Sequence, residues 1–156
     1  MNLSPRLTAV LPNDAPGGAL VMIFRGNDHP RLAIKGVALD NHGFGVINES
    51  EREPYWLSAS ALSGHPVLMV KGAAIIPSLS DCVRNTSGSV CGCLAIGPHS
   101  TYLAVSSGVR HGGNIYIDLD SGDAAQAPPE TVIWCARWTI AFQHPWGIEE
   151  VFEFPT

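Results

Sequence analysis

The sequence has little charge. Only 15% of its 156 residues are Asp, Glu, Lys or Arg, against a usual share of about 25%. Lysine occurs just twice, at Lys35 and Lys71, and the formal net charge is -5. Together with 46% apolar residues, this composition excludes ordinary disorder, a coiled coil and a strongly basic nucleic-acid binder.

Long hydrophobic runs are also missing. The longest candidate, residues 67–76, is interrupted by Lys71 and Gly72, well short of the ~18 uninterrupted apolar residues that a membrane span needs. The first 18 residues lack a secretory pattern, because their short apolar run ends at Pro12. We therefore expect a soluble protein without a membrane partner, located in the cytoplasm.

The four cysteines do not form a recognisable metal or redox motif. Cys91 and Cys93 have C-x-C spacing, whereas zinc knuckles and thioredoxin-like sites use C-x-x-C. Cys82 and His99 could complete a zinc site with them, but small buried strand residues are the preferred interpretation. The prediction is four reduced thiols, no metal and no cofactor.

Catalytic motifs are equally scarce. None of the six histidines belongs to an H-x-x-x-H or H-E-x-x-H pair, and no G-x-S-x-G elbow occurs. A dyad of Cys82 with His99 or His111, oriented by Asp81, is the one nucleophilic arrangement that the residue types allow. No catalytic residue is assigned from the sequence.

Turn formers, in contrast, are abundant: 16 Gly and 12 Pro residues are spread along the chain. Between them lie short alternating runs such as Ile115, Ile117 and Leu119, typical of half-buried strands. The pattern predicts roughly nine to eleven short strands in one mainly antiparallel β domain spanning residues 1–156, either a sandwich or a small barrel. Strands are expected at 19–24, 43–48, 94–96, 115–119, 131–142 and 151–154, and short helical turns at 58–62 and 77–84.

An internal repeat of about 36 residues is the strongest long-range signal. Residues 29–39 and 65–75 align without a gap and agree at six of eleven positions, including the His-Pro and Lys-Gly pairs. Because Pro favours an extended entry and Gly allows a bulge, each copy predicts a strand, a bulge and a second strand. Lys35 and Lys71 should then be equivalent, and Leu32 and Leu68 should both be buried.

The candidate binding residues lie mainly near the C-terminus. Trp146 stands between Pro145 and Gly147, so it is expected in an exposed loop running from His144 to Glu150. His144, Glu149 and Glu150 complete this candidate site. His111, flanked by Arg110 and two glycines, is the remaining candidate.

Three functions follow from these observations, in decreasing order of support. The first is a non-catalytic protein-binding module, such as an immunity protein or inhibitor, whose acidic loop attracts a partner with a basic surface. The second is a carbohydrate- or small-ligand-binding β module, and the third is a small Cys/His-dependent enzyme. A nucleic-acid partner is not expected.

Overall fold

The computed structural model describes residues 7–26, 29–49, 52–86, 88–109 and 112–155. The prediction of a mainly β fold with only short helical turns is confirmed. The strands are β1 Leu7–Val10, β2 Leu20–Ile23, β3 Arg31–Ala38, β4 Asn41–Val46, β5 Tyr55–Ser58, β6 Val67–Val70, β7 Ala73–Pro77, β8 Cys82–Val83, β9 Leu94–Ile96, β10 Thr101–Ser106, β11 Asn114–Asp118, β12 Ala124–Ala125, β13 Ile133–Cys135, β14 Trp138–His144 and β15 Gly147–Phe154. Single 3-10 turns cover Ala59–Leu62 and Leu79–Asp81.

The strands form two sheets. Sheet A has twelve strands in the order β1-β6-β2-β3-β4-β5-β10-β9-β13-β8, with β11 attached to β10 and β12 to β11. Sheet B has three, in the order β15-β14-β7. The Val37 N–H donates to the Gly122 carbonyl at 2.8 Å, which joins β3 to the turn after β11. The strand count exceeds the expected nine to eleven because several strands are only two or three residues long.

Two apolar clusters lie on opposite faces of the β2–β3 region. Leu20 and Ile34 belong to the cluster between the sheets, whereas Val21 and Ala33 belong to a second cluster on the other face. Successive strand residues point to opposite faces, so a strand covered on both sides needs a continuous apolar run rather than an alternating one. The 3-10 turn Ala59–Leu62 helps to cover the second cluster.

The predicted strand over 131–142 is wrong as a single element. It is divided into β13, which belongs to sheet A, and β14, which belongs to sheet B. The division separates two tryptophans: Trp134 is half-buried, whereas Trp138 is 1% exposed in the cluster between the sheets. The Trp138 indole N–H donates to the Gly92 carbonyl at 2.7 Å, and the ring stacks on Phe154 with 5.2 Å between centroids.

The internal repeat is not confirmed. The first halves of both copies do flank β2 in equivalent register, since Leu32 and Leu68 both pair with Met22. The second halves differ: the first copy continues as the single strand β3, whereas the second ends β6 and resumes as β7 in the other sheet. Leu32 and Leu68 are half-buried rather than buried.

Candidate functional site

The C-terminal candidate site is a β-hairpin rather than an open loop. Strand β14 ends at His144 and β15 begins at Gly147, so only Pro145 and Trp146 form the turn. Gly147 has φ +146°, which a residue without a Cβ adopts at little cost. The expected turn around Pro145 and Gly147 is therefore present, but the rest of the predicted 144–150 loop is strand.

The Trp146 side chain is exposed and has a defined support. It is 82% exposed, and its ring stacks on the His144 imidazole with 4.5 Å between centroids and 10° between planes. The His144 side chain is only 8% exposed, and its Nε2 lies 2.7 Å from Glu149 Oε2. His144 thus holds one face of the indole while the rest remains accessible, an arrangement that suits an aromatic contact residue.

The two candidate carboxylates lie on different faces of the hairpin. Glu149 pairs with Phe142 and Glu150 with Ala141, and consecutive strand residues point in opposite directions. Glu149 shares the face of His144, which is the face that carries Trp138 and Ile140 into the core. Glu150 lies on the outer face of sheet B together with Ile148, which is 60% exposed.

Strand β15 contributes more exposed side chains than the sequence indicated. Strand β15 is at the edge of sheet B, and its side chains Ile148 and Val151 are exposed as well. Glu153 lies 3.6 Å from Arg137 at the other end of the strand. Residues 148–153 do not alternate strictly between apolar and acidic types, and a register shift opposite Ile140 and Ala141 interrupts the pairing. A period of two therefore could not reveal one long strand there.

His111, the remaining candidate, lies outside the described residues. Its possible thiol partner Cys82 instead pairs with Cys135 across two strands, and its Sγ donates to the Ser78 carbonyl at 3.6 Å. His99 is 3.0 Å from Glu130 Oε2, and this hydrogen bond lowers the pKa of the Glu130 carboxyl. Cys82 and His99 therefore each have a different partner from the one that a thiol–imidazole dyad requires.

Three of the cysteine thiols, those of Cys82, Cys91 and Cys93, are more weakly acidic than usual. Burial raises the pKa of both Cys82 and Cys91 to about 11 and also raises that of Cys93. Because the thiolate is the reactive nucleophile and metal ligand, little of it is present at neutral pH. Within the part of the chain that the structure describes, no three His, Cys, Asp or Glu side chains are grouped so as to hold a metal ion.

A cleft opens between the two sheets. It has a volume of about 480 Å³, and its walls are mainly aliphatic side chains from both sheets, among them Leu20, Ile75, Leu94 and Ile140. Thr101 and Asp120 are the side chains that add polar groups to the lining. This volume lies within the range of small-molecule sites, ~300–1,000 Å³.

The fold and these features define a two-sheet β protein with an exposed aromatic hairpin and an aliphatic cleft between its sheets. No protein-family model matches the chain, and neither a curated protein nor a solved structure matches it significantly. Among the described helical segments, none has the length and apolar character needed to cross a membrane.

Proposed function

We propose that the chain is a non-catalytic protein-binding module whose contact surface is centred on Trp146 at the tip of the β14–β15 hairpin. The observation that carries the proposal is an indole 82% exposed to solvent yet stacked on a nearly buried imidazole. A large ring held in one orientation loses little entropy on binding, which is why Trp is enriched at interface hot spots.

The charge around the hairpin supports a partner with a basic surface. Glu149, Glu150 and Glu153 all belong to β15, and the whole chain carries a formal charge of -5. Like-signed carboxylates at the edge of an interface mainly accelerate encounter with an oppositely charged partner. An immunity protein or inhibitor that neutralises a basic protein is the function of this kind that we favour.

The test compares three immobilised proteins: the wild type, Trp146→Ala and Leu79→Ala. Leu79 is a matched control, because it is also a large apolar side chain and is 78% exposed. It follows the Pro77 end of β7, whereas the hairpin tip lies at the Ala73 end. We expect the wild type and Leu79→Ala to retain the same partner from a lysate of the native host. Trp146→Ala should retain at least tenfold less of it. Equal retention by all three would contradict the proposal.

Folding and charge provide two further checks. Trp146→Ala should change the free energy of unfolding by less than about 0.5 kcal/mol, since the ring is mostly in water. Glu150→Lys should slow association with the isolated partner, more strongly at low ionic strength than at high. A large loss of stability in Trp146→Ala would instead indicate that the ring serves folding.

The cleft between the sheets favours a second candidate, the binding of a small and largely apolar ligand. Its aliphatic walls offer burial, and Thr101 and Asp120 offer hydrogen bonds to one end of such a ligand. Ala73→Leu would place extra carbon atoms in the lining. We expect this variant to bind an environment-sensitive apolar dye more weakly than the wild type, whereas Leu79→Ala should bind it equally well.

A Cys/His-dependent enzyme receives the least support. The raised pKa values of Cys82, Cys91 and Cys93 work against a thiolate nucleophile.

A further inference from the structure

Cys82 and Cys135 are direct neighbours across two strands. Strands β8 and β13 are antiparallel, and Cys135 pairs with Cys82 in their register. Residues directly opposite each other in such a pair have Cα atoms about 4.5–5.5 Å apart and side chains on the same face. A disulfide needs a Cα separation of roughly 4.4–6.8 Å, so the backbone already satisfies this requirement.

The side chains converge as well. Sγ of Cys135 lies 3.3 Å from the Ser78 carbonyl oxygen, and Sγ of Cys82 lies 3.6 Å from the same oxygen. Sγ of Cys135 lies 3.0 Å from the Arg137 carbonyl oxygen as well. Both sulfurs are present as free thiols, and Cys135 is fully buried while Cys82 is partly exposed.

The pair is located where the chain passes between the two sheets. The 3-10 turn Leu79–Asp81 leads from β7 of sheet B to β8 of sheet A, and Arg137 lies in the connection from β13 back to β14. These two connections already touch, because the Ser78 N–H donates to the Arg137 carbonyl at 2.8 Å. A covalent bond here would join both connections and enclose about fifty residues of chain.

We propose that Cys82 and Cys135 are a thiol–disulfide site, in which a reversible bond between their sulfurs joins the two connections between the sheets. This site is independent of the protein-binding surface proposed above.

The oxidant is a low-molecular-weight disulfide such as glutathione disulfide. The Cys82 sulfur, as thiolate, attacks one sulfur of the oxidant, forms a mixed disulfide and releases one glutathione thiolate. The Cys135 sulfur, having lost its proton, then attacks the Cys82 sulfur and releases the second glutathione. Two protein thiols are oxidised, one oxidant disulfide is reduced to two thiols, and the two protons pass to the glutathione thiolates.

Burial, the neighbouring Cys135 thiol and the Asp81 carboxylate raise the pKa of Cys82 to about 11. The reaction should therefore be slow at neutral pH. It should accelerate about tenfold for each unit by which the pH rises toward that value, because the thiolate fraction grows. The pair would remain reduced during brief exposure and become oxidised under sustained oxidising conditions.

The experiment incubates the folded protein with glutathione disulfide, alkylates the remaining thiols and maps the peptides by mass spectrometry. We expect a Cys82–Cys135 link, two alkylated cysteines and complete reversal by dithiothreitol. The oxidised protein should melt about 5–15 °C higher, because the bond restricts the unfolded chain. The double variant Cys91→Ala/Cys93→Ala should form the same link, whereas Cys82→Ser should not.

Cys93 is the informative competitor, since its pKa is influenced by Cys135. A link between Cys93 and Cys135, a link between two chains, or a glutathione adduct that persists on Cys82 would each overturn the proposal. Retention of all four free thiols at pH 9 after prolonged incubation would do so too. If Cys135→Ser is unfolded, Cys82→Ser at the partly exposed position still supplies the comparison.

Discussion

The segments 29–39 and 65–75 have closely similar sequences but different structures. In the first, Lys35 lies inside β3 with none of its surface exposed, and its Nζ donates to the Pro12 carbonyl at 2.6 Å. In the second, Lys71 is exposed in a break between two strands. The lesson is that a shared local pattern determines an extended conformation, whereas the surroundings determine whether the strand continues.

The surroundings differ in an identifiable way. Lys35 is covered by the connection between β1 and β2, from which Pro12 supplies the carbonyl and Asp14 a negative charge. The Phe44 ring lies 4.9 Å below its ammonium group. The second copy contains Gly72 with φ +76°, where the chain leaves sheet A and crosses to sheet B.

The largest expected difference is between the two lysines. Lys35→Ala removes a buried side chain and leaves the Pro12 carbonyl without its donor, which should lower the free energy of unfolding by about 3–5 kcal/mol. Lys71→Ala should change it by less than about 0.5 kcal/mol. Urea denaturation of both variants measures the contrast, and equal effects would show that Lys35 is not buried as described.

The leucines should instead behave alike. Leu32 and Leu68 both pair with Met22 and are both half-buried, so each change to Ala should cost about 1–3 kcal/mol. Leu39→Ala is the control, because this side chain is 95% exposed. Costs for the two leucines that differ by several-fold would mean that even the first halves of the copies are not equivalent.

Substitutions of Gly36 and Gly72 should destabilise the protein by similar amounts but for different physical reasons. A Cβ at Gly36 would lie 2.8 Å from the Trp56 ring, whereas one at Gly72 would meet nothing within 4 Å. Gly36→Ala should therefore cost about 1–3 kcal/mol through overpacking, and Gly72→Ala about 1–2 kcal/mol through its positive φ. The additional change Trp56→Leu should relieve the first variant and leave the second unrelieved, as thermal unfolding can determine.

The smallest effect concerns pH. Burial lowers the pKa of Lys35, opposed in part by Asp14, so the folded state releases the Lys35 proton at a lower pH than the unfolded state does. Between that lowered pKa and the ordinary value near 10.5, the unfolded state binds more protons and stability rises with pH. The wild type should gain stability relative to Lys35→Met over this interval, and an unchanged difference would argue against a depressed pKa.

The sequence predicted local features of the fold well. The strand at 94–96 is confirmed as β9, and the helical turns expected within 58–62 and 77–84 are present. These features depend on neighbouring residues, because Gly, Pro and alternating side chains restrict the backbone directly. The division of 131–142 into β13 and β14 was not predicted, because Ala136 and Arg137 are weaker turn formers than Gly or Pro.

The local geometry of the candidate site was also predicted only in part. The turn holding Trp146 and the exposure of its ring follow from Pro145 and Gly147. The stacking of His144 on that ring, and the separation of Glu149 from Glu150 onto different faces, depend on the register of β14 with β15. Register across a hairpin could be derived only by recognising 147–154 as one strand.

The sequence by itself determined the β class, the extended and turning segments, and an exposed tryptophan between Pro and Gly. The tertiary structure alone decided which strands share a sheet, why Lys35 is buried while Lys71 is not, and that Cys82 lies opposite Cys135. The physical reason is the separation along the chain over which each effect acts. Backbone preferences act over a few residues, whereas strand pairing and burial depend on residues far apart in the chain, which meet only after the whole chain has folded.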